Sequence, residues 1–389
     1  MSFLSIRFIR QVRTDAPRLL FVVTEDWYFV LHWLAIAKAA REAGYVVAVA
    51  TRVRKYGDRI RETGLELIPL RRLRRSSVNP LSQIAAVLEL VGVVRRWRPQ
   101  VVHLVALKPI IYGAIALQVG HRVPTVNALA GLGFIFSQDA GLARALRPLV
   151  NRLLRFALGR RYSLTTVQNP DDEALLVGEE LVDVGKVRLI RGAGVDLSKF
   201  AHAPTPDGSP LVVLMSRMLW DKGVREFVDA AKVVRDRGLD SRFVLVGEPD
   251  DENPAAVPRP VLRQWNDEGR VEWWGFRSDA ASVLAQAQLV VLPSYREGLP
   301  TVLTEASAVG RPLVAADVPG CREVVKHGVN GLLVPARDPL KLADAICELL
   351  LDPLRRDEMG RRARELAERD FSIEVVSRAT LAVYQELLT

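Results

Sequence analysis

The sequence predicts an α/β protein of two doubly wound, Rossmann-like domains that face each other across a cleft. Three observations lead to this fold class: a length of 389 residues, a composition of 49% apolar and 25% charged residues, and β-branched runs that alternate with helix-length segments. The length suffices for two domains with a core each, and the composition is that of a globular chain. Continuous apolar strands separated by helices indicate parallel sheets covered on both faces.

Eleven apolar runs predict the strands of two successive sheets. In the first half of the chain, the predicted strands are 19–23, 46–51, 101–107, 125–130 and 164–168. In the second half, they are 211–215, 243–246, 271–274, 289–292, 313–316 and 332–334. Each half therefore holds a series long enough for a parallel sheet of its own.

The boundary between the domains is predicted within residues 189–210, where glycine, proline and polar residues cluster. This assigns residues 1–190 to the first domain and residues 191–372 to the second. The last helical stretch, residues 373–389, is expected to pack back on the first domain. Because ligands bind beyond the carboxyl ends of parallel strands, the loops that follow strands are the candidate site.

The charge of the chain is unevenly distributed. The net charge is +9, but residues 1–200 carry 30 Lys and Arg against 16 Asp and Glu, whereas the remainder carries 24 against 29. The excess predicts a basic surface on the first half that faces membrane phosphates, anionic lipid intermediates or nucleic acid. A GC-rich genome would explain part of the arginine excess. Nucleic acid is not expected, because no known binding module is recognisable.

Cysteine usage and hydropathy exclude several classes. Cys321 and Cys347 form no CxxC pair and have no histidine at ligand spacing, so we expect neither disulfides nor structural zinc. Arginines interrupt the N-terminal segment, so no signal peptide is predicted. The longest apolar stretches, 84–94 and 110–119, are too short to span a bilayer.

The loop "SRMLWDKG", residues 216–223, follows the first predicted strand of the second domain. Arg217 and Lys222 stand five residues apart across a turn, and Gly223 opens the next helix. Arginine offers a planar fork to phosphate oxygens, and lysine offers a compact charge. Two cations at a strand's carboxyl end therefore predict a diphosphate site, although one surface cation alone would carry no such meaning.

The loop "SYREGLPTVLTEA", residues 294–306, follows the predicted strand 289–292. Gly298 permits close approach of the backbone to a ligand, and Pro300 and Thr301 are typical of a helix start, which attracts anions. Glu305 is predicted about one turn inside that helix, where it could accept hydrogen bonds from vicinal hydroxyls. Glu297, at the mouth of the loop, is placed for sugar hydroxyls.

These segments resemble a known enzyme family. "REGLPTVLTEA" resembles the Glu-x7-Glu motif, and "SRMLWDKGVREFVDAA" the Arg-x4-Lys motif, of the retaining nucleotide-sugar glycosyltransferases of family four, which have the GT-B fold. "ADVPGCREVVKHGVNGLLVP" is similar to the segment that follows in that family. The first half, in "TEDWYFVLHWLAIAKAAREAGYVV" and "VVHLVALKPIIYGAIALQVG", is more loosely similar to the subgroup that builds bacterial surface polysaccharides on polyprenyl-linked acceptors.

The resemblance implies roles for the donor-binding residues. Arg217 and Lys222 would neutralise the diphosphate of the nucleotide sugar, Glu305 would hold the ribose, and Glu297 the transferred sugar. Backbone amides after Gly298 would help to bind the phosphates, so contacts with the donor are predicted at Leu299 and Thr301. Phe276 and Arg277 are expected beside the base.

It also implies a reaction that proceeds with retention and mainly by electrostatic stabilisation of the leaving group. We expect no metal ion or other cofactor, since the two cations would do that work and no D-x-D motif follows a strand.

The sequence departs from the family in the first domain. Many relatives have Gly-Gly after the first strand, where this chain has Glu25 and Asp26, so these two are expected to meet the acceptor. Many relatives also carry a second histidine at the position of Val105. His103 and His32 are predicted acceptor contacts, with a structural role equally open for each. Lys108 is predicted to bind an acceptor phosphate.

An amphipathic helix is predicted in "GLARALRPLVNRLLRFALGRR", residues 141–161. Helical spacing places Leu146, Leu149, Leu153 and Ala157 on one face and Arg144, Arg147, Arg152 and Arg155 on the other. Such a helix could lie on an anionic membrane and receive a lipid-linked acceptor, or it could be an ordinary domain helix. We favour membrane contact, which places the protein in the cytoplasm, peripheral on the inner face of the plasma membrane.

The predicted function is transfer of a hexose or N-acetylhexosamine from a nucleotide sugar, with UDP expected, to a polyprenyl-linked saccharide acceptor. A glycoside hydrolase also uses two carboxylates but does not need the diphosphate loop. An NAD-dependent dehydrogenase is disfavoured because "GLGF" does not follow a first strand as G-x-G-x-x-G. Two alternatives stay open: a GT-B nucleotide-sugar epimerase, and a catalytically silent, membrane-bound nucleotide-sugar binder.

Overall fold

A computed structural model describes residues 16–75, 79–119, 123–129, 131 and 141–389. For residues 141–146 only the helical backbone is described. The described chain forms two α/β domains, each built on one parallel sheet, as the alternating pattern of apolar runs predicts.

The first domain holds a seven-stranded sheet in the order β3-β2-β1-β4-β5-β6-β7, and all of its pairs are parallel. Its strands, β1 to β7 in chain order, are Arg18–Glu25, Val46–Arg52, Glu66–Pro69, Val101–Val105, Thr125–Ala128, Ser163–Val167 and Val187–Leu189. The strands β3 and β7 are additions to the prediction. Both are short edge strands without the apolar run that marks the others.

The second domain holds a six-stranded sheet in the order β10-β9-β8-β11-β12-β13, again with parallel pairs throughout. Its strands, β8 to β13 in chain order, are Leu211–Met215, Arg242–Val246, Glu272–Gly275, Leu289–Leu292, Leu313–Ala316 and Gly331–Val334. All six predicted strands of this half are confirmed, and β8, β11 and β12 have the predicted bounds.

Helices cover both faces of each sheet. In the first domain α1 to α7 are Asp26–His32, Leu34–Glu42, Gly57–Glu62, Pro80–Trp97, Leu107–Val119, Gly141–Leu158 and Pro170–Gly178. From there on, α8 to α15 are Val224–Asp236, Arg259–Asp267, Ala280–Gln286, Thr301–Val309, Cys321–Val324, Pro339–Leu351, Pro353–Leu366 and Ile373–Leu388. No helix among the described residues is long and apolar enough to cross a bilayer.

The chain crosses between the domains twice, at neighbouring places. Val195, in the outgoing segment, forms a parallel bridge with Ser372 in the returning one. The Val195 amide donates to the Phe371 carbonyl at 2.7 Å, and the Ile373 amide donates to the Val195 carbonyl at 3.1 Å. Gly194 has a φ of +79°, and a Cβ there would lie 2.7 Å from Ile373 Cα, so the close pairing of the two crossings requires glycine.

After the second crossing, α15 packs on the first domain. It contacts α2 and the strands β4, β5 and β6. Val376, Val383 and Tyr384 are buried in the same apolar cluster as Phe21 and Ile36. The core of the first domain is therefore built from both ends of the described chain.

The strand orders identify where each sheet can bind a ligand. In the first sheet, β1 pairs with β2 on one side and β4 on the other; in the second, β8 pairs with β9 and β11. At these points successive connections leave in opposite directions and open a crevice at the carboxyl edge. The loops after β8 and β11 are the two segments from which the sequence predicts donor binding.

Candidate active site

The loops after β8 and β11 are joined directly. The Tyr295 amide donates to the Asp221 carbonyl at 2.9 Å. Gly223, with a φ of +72°, ends the turn that carries Lys222, and a Cβ there would lie 2.2 Å from the Pro293 carbonyl oxygen. Only glycine allows the turn to approach β11 this closely.

This approach brings Lys222 and Glu297 together. Lys222 Nζ lies 2.5 Å from Glu297 Oε1, and Ser294 Oγ donates to the same oxygen at 2.7 Å. Both side chains of the ion pair are mostly buried, at 18% and 11% exposed. Two residues that are 75 positions apart therefore form one charged unit at the second sheet's switch point.

The helix α11 begins beside this unit. It starts at Thr301 with Pro300 at the N-cap and no side-chain cap. The first amides of a helix lack partners within the helix, and the positive end of its dipole favours an anion. The Gly298 carbonyl, just before the helix, accepts a 2.7 Å hydrogen bond from Asn169 Nδ2 of the first domain.

Glu305 lies one turn inside α11, as predicted. Burial raises the pKa of Glu305 to about 7, although the charge of Lys199 lowers it. A carboxyl group that is desolvated in this way is costly to ionise without partners. Its predicted partners, the hydroxyls of a ribose, would provide them.

A small cavity of about 90 Å³ lies between the two domains at this place. The second domain contributes Glu297, Gly298, Leu299 and Thr301. The first domain contributes residues that include Tyr28, His32, Trp33 and Gln168. The cavity therefore joins the predicted sugar-binding glutamate to an aromatic wall, of which the sequence predicted only His32.

His32 is held neutral in this wall. Desolvation and the charge of Arg217 lower the pKa of His32 to about 4. Its ring lies 4.5 Å from the ring of Tyr28 between centroids. Burial raises the pKa of Tyr28 to about 12. Near neutral pH the wall thus offers an imidazole and a phenol, both uncharged, to a sugar.

A larger cavity of about 670 Å³ lies between the switch points of the two sheets. Its second-domain lining includes Arg217, Gly247, Phe276 and Arg277, and its first-domain lining includes Glu25. Phe276 is 71% exposed, and Arg277 donates two hydrogen bonds to Asp279, at 2.8 and 2.6 Å. The residues predicted beside the base therefore share one cavity with the predicted phosphate ligand Arg217.

Arg217 does not face this cavity alone. Its Nη1 atom donates to Asp250 Oδ2 at 2.6 Å, and Arg75 Nη1 of the first domain donates to the same oxygen at 3.1 Å. Burial alone would raise the pKa of Asp250, but the hydrogen bonds from Arg217 and Arg75 outweigh it and hold the pKa below its usual value. The acidic run 250–252 thus contacts the other domain.

Glu25 and Asp26 differ sharply despite being neighbours. Glu25 is 4% exposed, and neither of its carboxylate oxygens has a hydrogen-bond partner among the described residues. Arg54 Nε lies 3.3 Å from Glu25 Oε2. Asp26 is fully buried, and its Oδ2 atom accepts from the backbone amides of Arg54, Lys55 and Tyr56 at 2.7 to 2.9 Å. Asp26 thus holds a loop, and its predicted contact with the acceptor stays a prediction.

His103 is placed in the core. It is fully buried, its Nδ1 atom lies 2.6 Å from the Tyr384 hydroxyl, and its ring stacks on Phe21 at 4.8 Å. Burial lowers the pKa of His103 to about 3. His103 therefore makes structural contacts through Nδ1 and its ring, and its predicted contact with the sugar or acceptor stays a prediction. The neighbouring Val105 is also fully buried, within β4.

Lys108 supports a loop of the first domain. Its Nζ atom donates to the carbonyls of Arg74 and Arg75, at 3.1 and 2.7 Å. Lys108 therefore fixes the backbone that presents Arg75 to Asp250. The predicted phosphate contact of Lys108 stays a prediction, and Arg75 is the cation that this arrangement brings to the large cavity.

The predicted faces of the amphipathic helix are wrong. In α6, Leu154, Ala157 and Leu158 are buried, whereas Leu149 is 58% and Phe156 43% exposed. Leu149 and Ala157 therefore lie on different faces; Pro148 stands inside the helix. Arg147 and Arg155 bind the segment at Glu179 and Glu180 instead of forming an open basic face. The side chains of Arg144 and Leu146 lie outside the described residues.

No group of three or more His, Cys, Asp or Glu side chains in the described part of the chain is placed to hold a metal ion. Sequence reasoning missed Tyr28, Trp33, Gln168, Asp250 and Arg75. The signal for the first two was the aromatic run that follows β1, whereas the others become site residues only through contacts between distant segments.

Two families match the chain, one for each domain. The family described as "Glycosyl transferase 4-like" matches residues 18–161, and the family described as "Glycosyl transferases group 1" matches residues 209–352. The second match contains both donor loops. The chain is a glycosyltransferase with the GT-B fold.

Relatives of this glycosyltransferase include enzymes of bacterial glycan synthesis. It is 27% identical to an N,N'-diacetylbacillosaminyl-diphospho-undecaprenol alpha-1,3-N-acetylgalactosaminyltransferase of Campylobacter jejuni, over 91% of this chain and 95% of the relative. It is 26% identical to a UDP-Gal:alpha-D-GlcNAc-diphosphoundecaprenol alpha-1,3-galactosyltransferase of Escherichia coli, over 67% and 69%.

Solved structures share the fold. The crystal structure of Anabaena Alr3699/HepE in complex with UDP and glucose superposes with a TM-score of 0.75 at 20% identity, covering 94% of this chain and 99% of that one. The agreement in fold covers both domains of the glycosyltransferase.

Proposed function

We propose that this enzyme is a retaining glycosyltransferase that moves a hexose or N-acetylhexosamine from a UDP-linked sugar to a polyprenyl-diphosphate-linked saccharide. The product would enter a cell-surface polysaccharide. The observation that carries the proposal is the Lys222–Glu297 ion pair, 2.5 Å long, beside the start of α11 at the second sheet's switch point.

This arrangement suits a nucleotide sugar because it offers opposite charges to its different parts. In the proposal, Arg217, Lys222 and the first amides of α11 receive the diphosphate, whose negative charge grows as the glycosidic bond breaks. Glu297 accepts hydrogen bonds from the transferred sugar and Glu305 from the ribose. The acceptor hydroxyl attacks on the face from which the diphosphate departs, so the anomeric configuration is retained.

In the same proposal no metal ion takes part, because two cationic side chains and a helix N-terminus supply the positive charge at the leaving group. The uncharged wall of Tyr28, His32 and Trp33 closes the sugar cavity from the first domain. Glu25, whose buried oxygens have no hydrogen-bond donor in the described part of the chain, is a candidate contact for the acceptor saccharide.

The choice of donor and acceptor draws on the relatives. The Campylobacter relative is named for a diphospho-undecaprenol acceptor, and the Escherichia relative for UDP-Gal and a diphosphoundecaprenol acceptor. Similarity at 26–27% identity supports the class of both substrates for this chain but does not select the sugar. The first-domain surface supports a lipid-linked acceptor independently.

That surface is formed by α4, α5 and α6, which pack side by side. On α4 the side chains of Leu81, Ile84 and Leu88 are 76%, 58% and 63% exposed, although all three are large and apolar. They lie three and four residues apart and so share one face of the helix. On α6, Leu149 and Phe156 are exposed as well. We propose that this surface lies on an anionic bilayer.

Incubation with a panel of labelled nucleotide sugars and a polyprenyl-diphosphate saccharide tests the reaction. Transfer from a UDP-sugar with retained configuration, read by the anomeric coupling in the NMR spectrum of the product, is the expected result. An isomerised free donor would instead identify an epimerase. Tight donor binding without transfer to any acceptor would identify a silent binder.

Co-sedimentation with phospholipid vesicles tests the membrane surface. We expect binding to vesicles with about 30% anionic lipid at low salt, and weaker binding at high salt. The double variant Ile84→Asn/Leu88→Asn should bind several-fold less, whereas Leu354→Asn, at an even more exposed leucine of the second domain, should bind normally. Equal sedimentation of all three proteins would exclude this surface.

A further inference from the structure

The Asp250 carboxylate lies between the two domains, at a position where a bound anion could contact the same arginines. Arg217, from the loop after β8, and Arg75, from the first domain, both donate to its Oδ2 atom, at 2.6 and 3.1 Å. The Asp250 side chain is only 16% exposed. A single carboxylate oxygen that takes two guanidinium groups resembles a phosphate oxygen in charge and in donor geometry.

A second ion pair joins the domains close to the first. Arg54 Nη2 of the first domain lies 3.1 Å from Glu252 Oε1, two residues after Asp250. We call these four residues, Arg54, Arg75, Asp250 and Glu252, the clasp. All four line the large cavity, together with Arg217. The clasp therefore bridges the cavity in which the base and diphosphate of the donor are proposed to bind.

The backbone that carries the two arginines of the clasp is held by hydrogen bonds within the first domain. Lys108 donates to the carbonyls of Arg74 and Arg75, and the Glu89 carboxylate accepts from the amides of Arg71 and Arg72, at 2.8 and 2.9 Å. Asp26 likewise accepts from the three amides at residues 54–56. Both arginines are thus presented from backbone that is fixed by charged side chains.

The second-domain residues of the clasp are held mainly by ion pairs that a competing ion could replace. The run 250–252 follows β9 in a loop, and Asp251 is 80% exposed, with its ion pair to Arg259 in the same domain at 3.8 Å. Arg217 is 44% exposed. Partly exposed ion pairs are weak and give way to a competing ion of higher charge.

We propose that Asp250 is an internal competitor of the donor diphosphate, which displaces it from Arg217 and thereby opens the clasp. The proposal rests on the function proposed above, because it takes Arg217 as a diphosphate ligand. A diphosphate carries more negative charge than one carboxylate and can engage Arg217 and Lys222 together. Once Asp250 leaves Arg217, the domains are joined here only by the Arg75–Asp250 and Arg54–Glu252 pairs. Their arginine side chains are 39% and 41% exposed, so these pairs are weak and the domains can separate at this end of the cleft.

The consequence is an order of events. The empty enzyme keeps the large cavity bridged, and donor binding loosens the bridge by releasing Asp250 from Arg217. Because part of the binding energy of the donor is spent on opening the clasp, the affinity for the donor is lower than Arg217 and Lys222 alone would give.

Calorimetric titration with UDP tests the competition. Asp250→Asn should bind UDP about three- to tenfold more tightly than the wild type, since the competing charge is lost. Asp251→Asn is the matched control: it removes one negative charge from the same loop without touching Arg217 or the clasp, and it should stay within about twofold of wild type. An equal gain in both variants would reduce the effect to net charge and overturn the proposal.

The distance between two spin labels tests the opening. Labels on cysteines introduced at Lys38 in α2 and Leu354 in α14 are selective, because Cys321 and Cys347 are buried. UDP should shift the distance distribution of the wild type. Arg75→Gln, which breaks the clasp but leaves Arg217 in place, should show the shifted distribution without UDP. A distribution that UDP leaves unchanged, or moves to shorter distances, would overturn the opening.

The two proposals fail in different ways. If UDP and the other common nucleoside diphosphates bind neither the wild type nor Asp250→Asn, the proposed donor site is wrong. If UDP binds both proteins with equal affinity, the donor site stands and the competition by Asp250 is wrong.

Discussion

The two walls of the cleft use their charged side chains differently. On the second-domain wall, Lys222, Glu297 and Arg217 pair with side chains that a substrate could replace, and they come from two loops that adjacent strands place together. On the first-domain wall, Asp26 and Lys108 are bound to backbone groups of their own domain. A charged residue at a cleft therefore indicates substrate binding only when its present partners are exchangeable. The predictions below test this difference, beginning with the largest effect.

Loss of Lys222 should have the largest effect on turnover. Lys222→Ala removes one of two cations at the leaving group and leaves Glu297 without its partner, so kcat/KM should fall by about 10²–10³. The melting temperature should change little. The matched control is Lys232→Ala in α8, whose ion pair with Asp236 is exposed and which should keep full activity. A loss below tenfold in Lys222→Ala would remove this residue from the mechanism.

Loss of Asp26 should affect stability instead. Asp26→Ala leaves three amides of residues 54–56 without their buried acceptor, so the unfolding free energy of the first domain should fall by about 3 kcal/mol. Denaturant unfolding measures it. Asp58→Ala, at a 92% exposed carboxylate of the same domain, should be nearly neutral. If Asp26→Ala lowered turnover without lowering stability, the contrast between the walls would be lost.

Glu305 should make stability depend on pH. Its pKa rises from 4.5 to about 7 on folding, so the folded state binds the proton more tightly than the unfolded state. This stabilisation is complete below pH 4.5 and is lost as the pH rises through 7, by about 3 kcal/mol. Unfolding of Glu305→Gln between pH 5 and 8 should lack this decline.

A parallel pH profile in wild type and Glu305→Gln would show that another group titrates. Saturating UDP should reduce the decline in the wild type, because ribose hydroxyls would solvate the carboxylate. Lys199→Gln should make the decline steeper, since the charge of Lys199 lowers the pKa of Glu305.

The smallest effect on stability is expected at Tyr384, in the core of the first domain. Tyr384→Phe removes the hydroxyl that meets His103 Nδ1 and should lower stability by about 1 kcal/mol without changing kcat. Tyr162→Phe, at a 52% exposed tyrosine, is the control. A loss of turnover larger than the loss of stability would return His103 to the candidate acceptor contacts.

The sequence predicted the fold more completely than the site. Runs such as residues 289–292 are apolar throughout and end at Pro293, so both their state and their bounds could be predicted. The strands β3 and β7 were missed because an edge strand of three or four residues owes its conformation to its neighbour, here β2 or β6. The helix α15 was predicted from its own periodicity.

Within the site, the donor loops were predictable because their residues are close in sequence. Lys222 lies five residues after Arg217, and Glu305 lies eight after Glu297, so regular geometry relates the members of each pair. No such rule relates Arg75 to Asp250, which are 175 residues apart. The face that α6 buries could not be predicted from the sequence either. Both faces carry leucine, and only packing on the sheet decides which one is buried.

The return of α15 to the first domain has a consequence for synthesis. Tyr384 and Val383 fill the core around Phe21, yet they are made after every residue of the second domain. The whole second domain is therefore synthesised before the first domain can complete its core. The domain that is translated first is the one that finishes folding last, and during that interval its surface at Phe21 and Ile36 is open to chaperones.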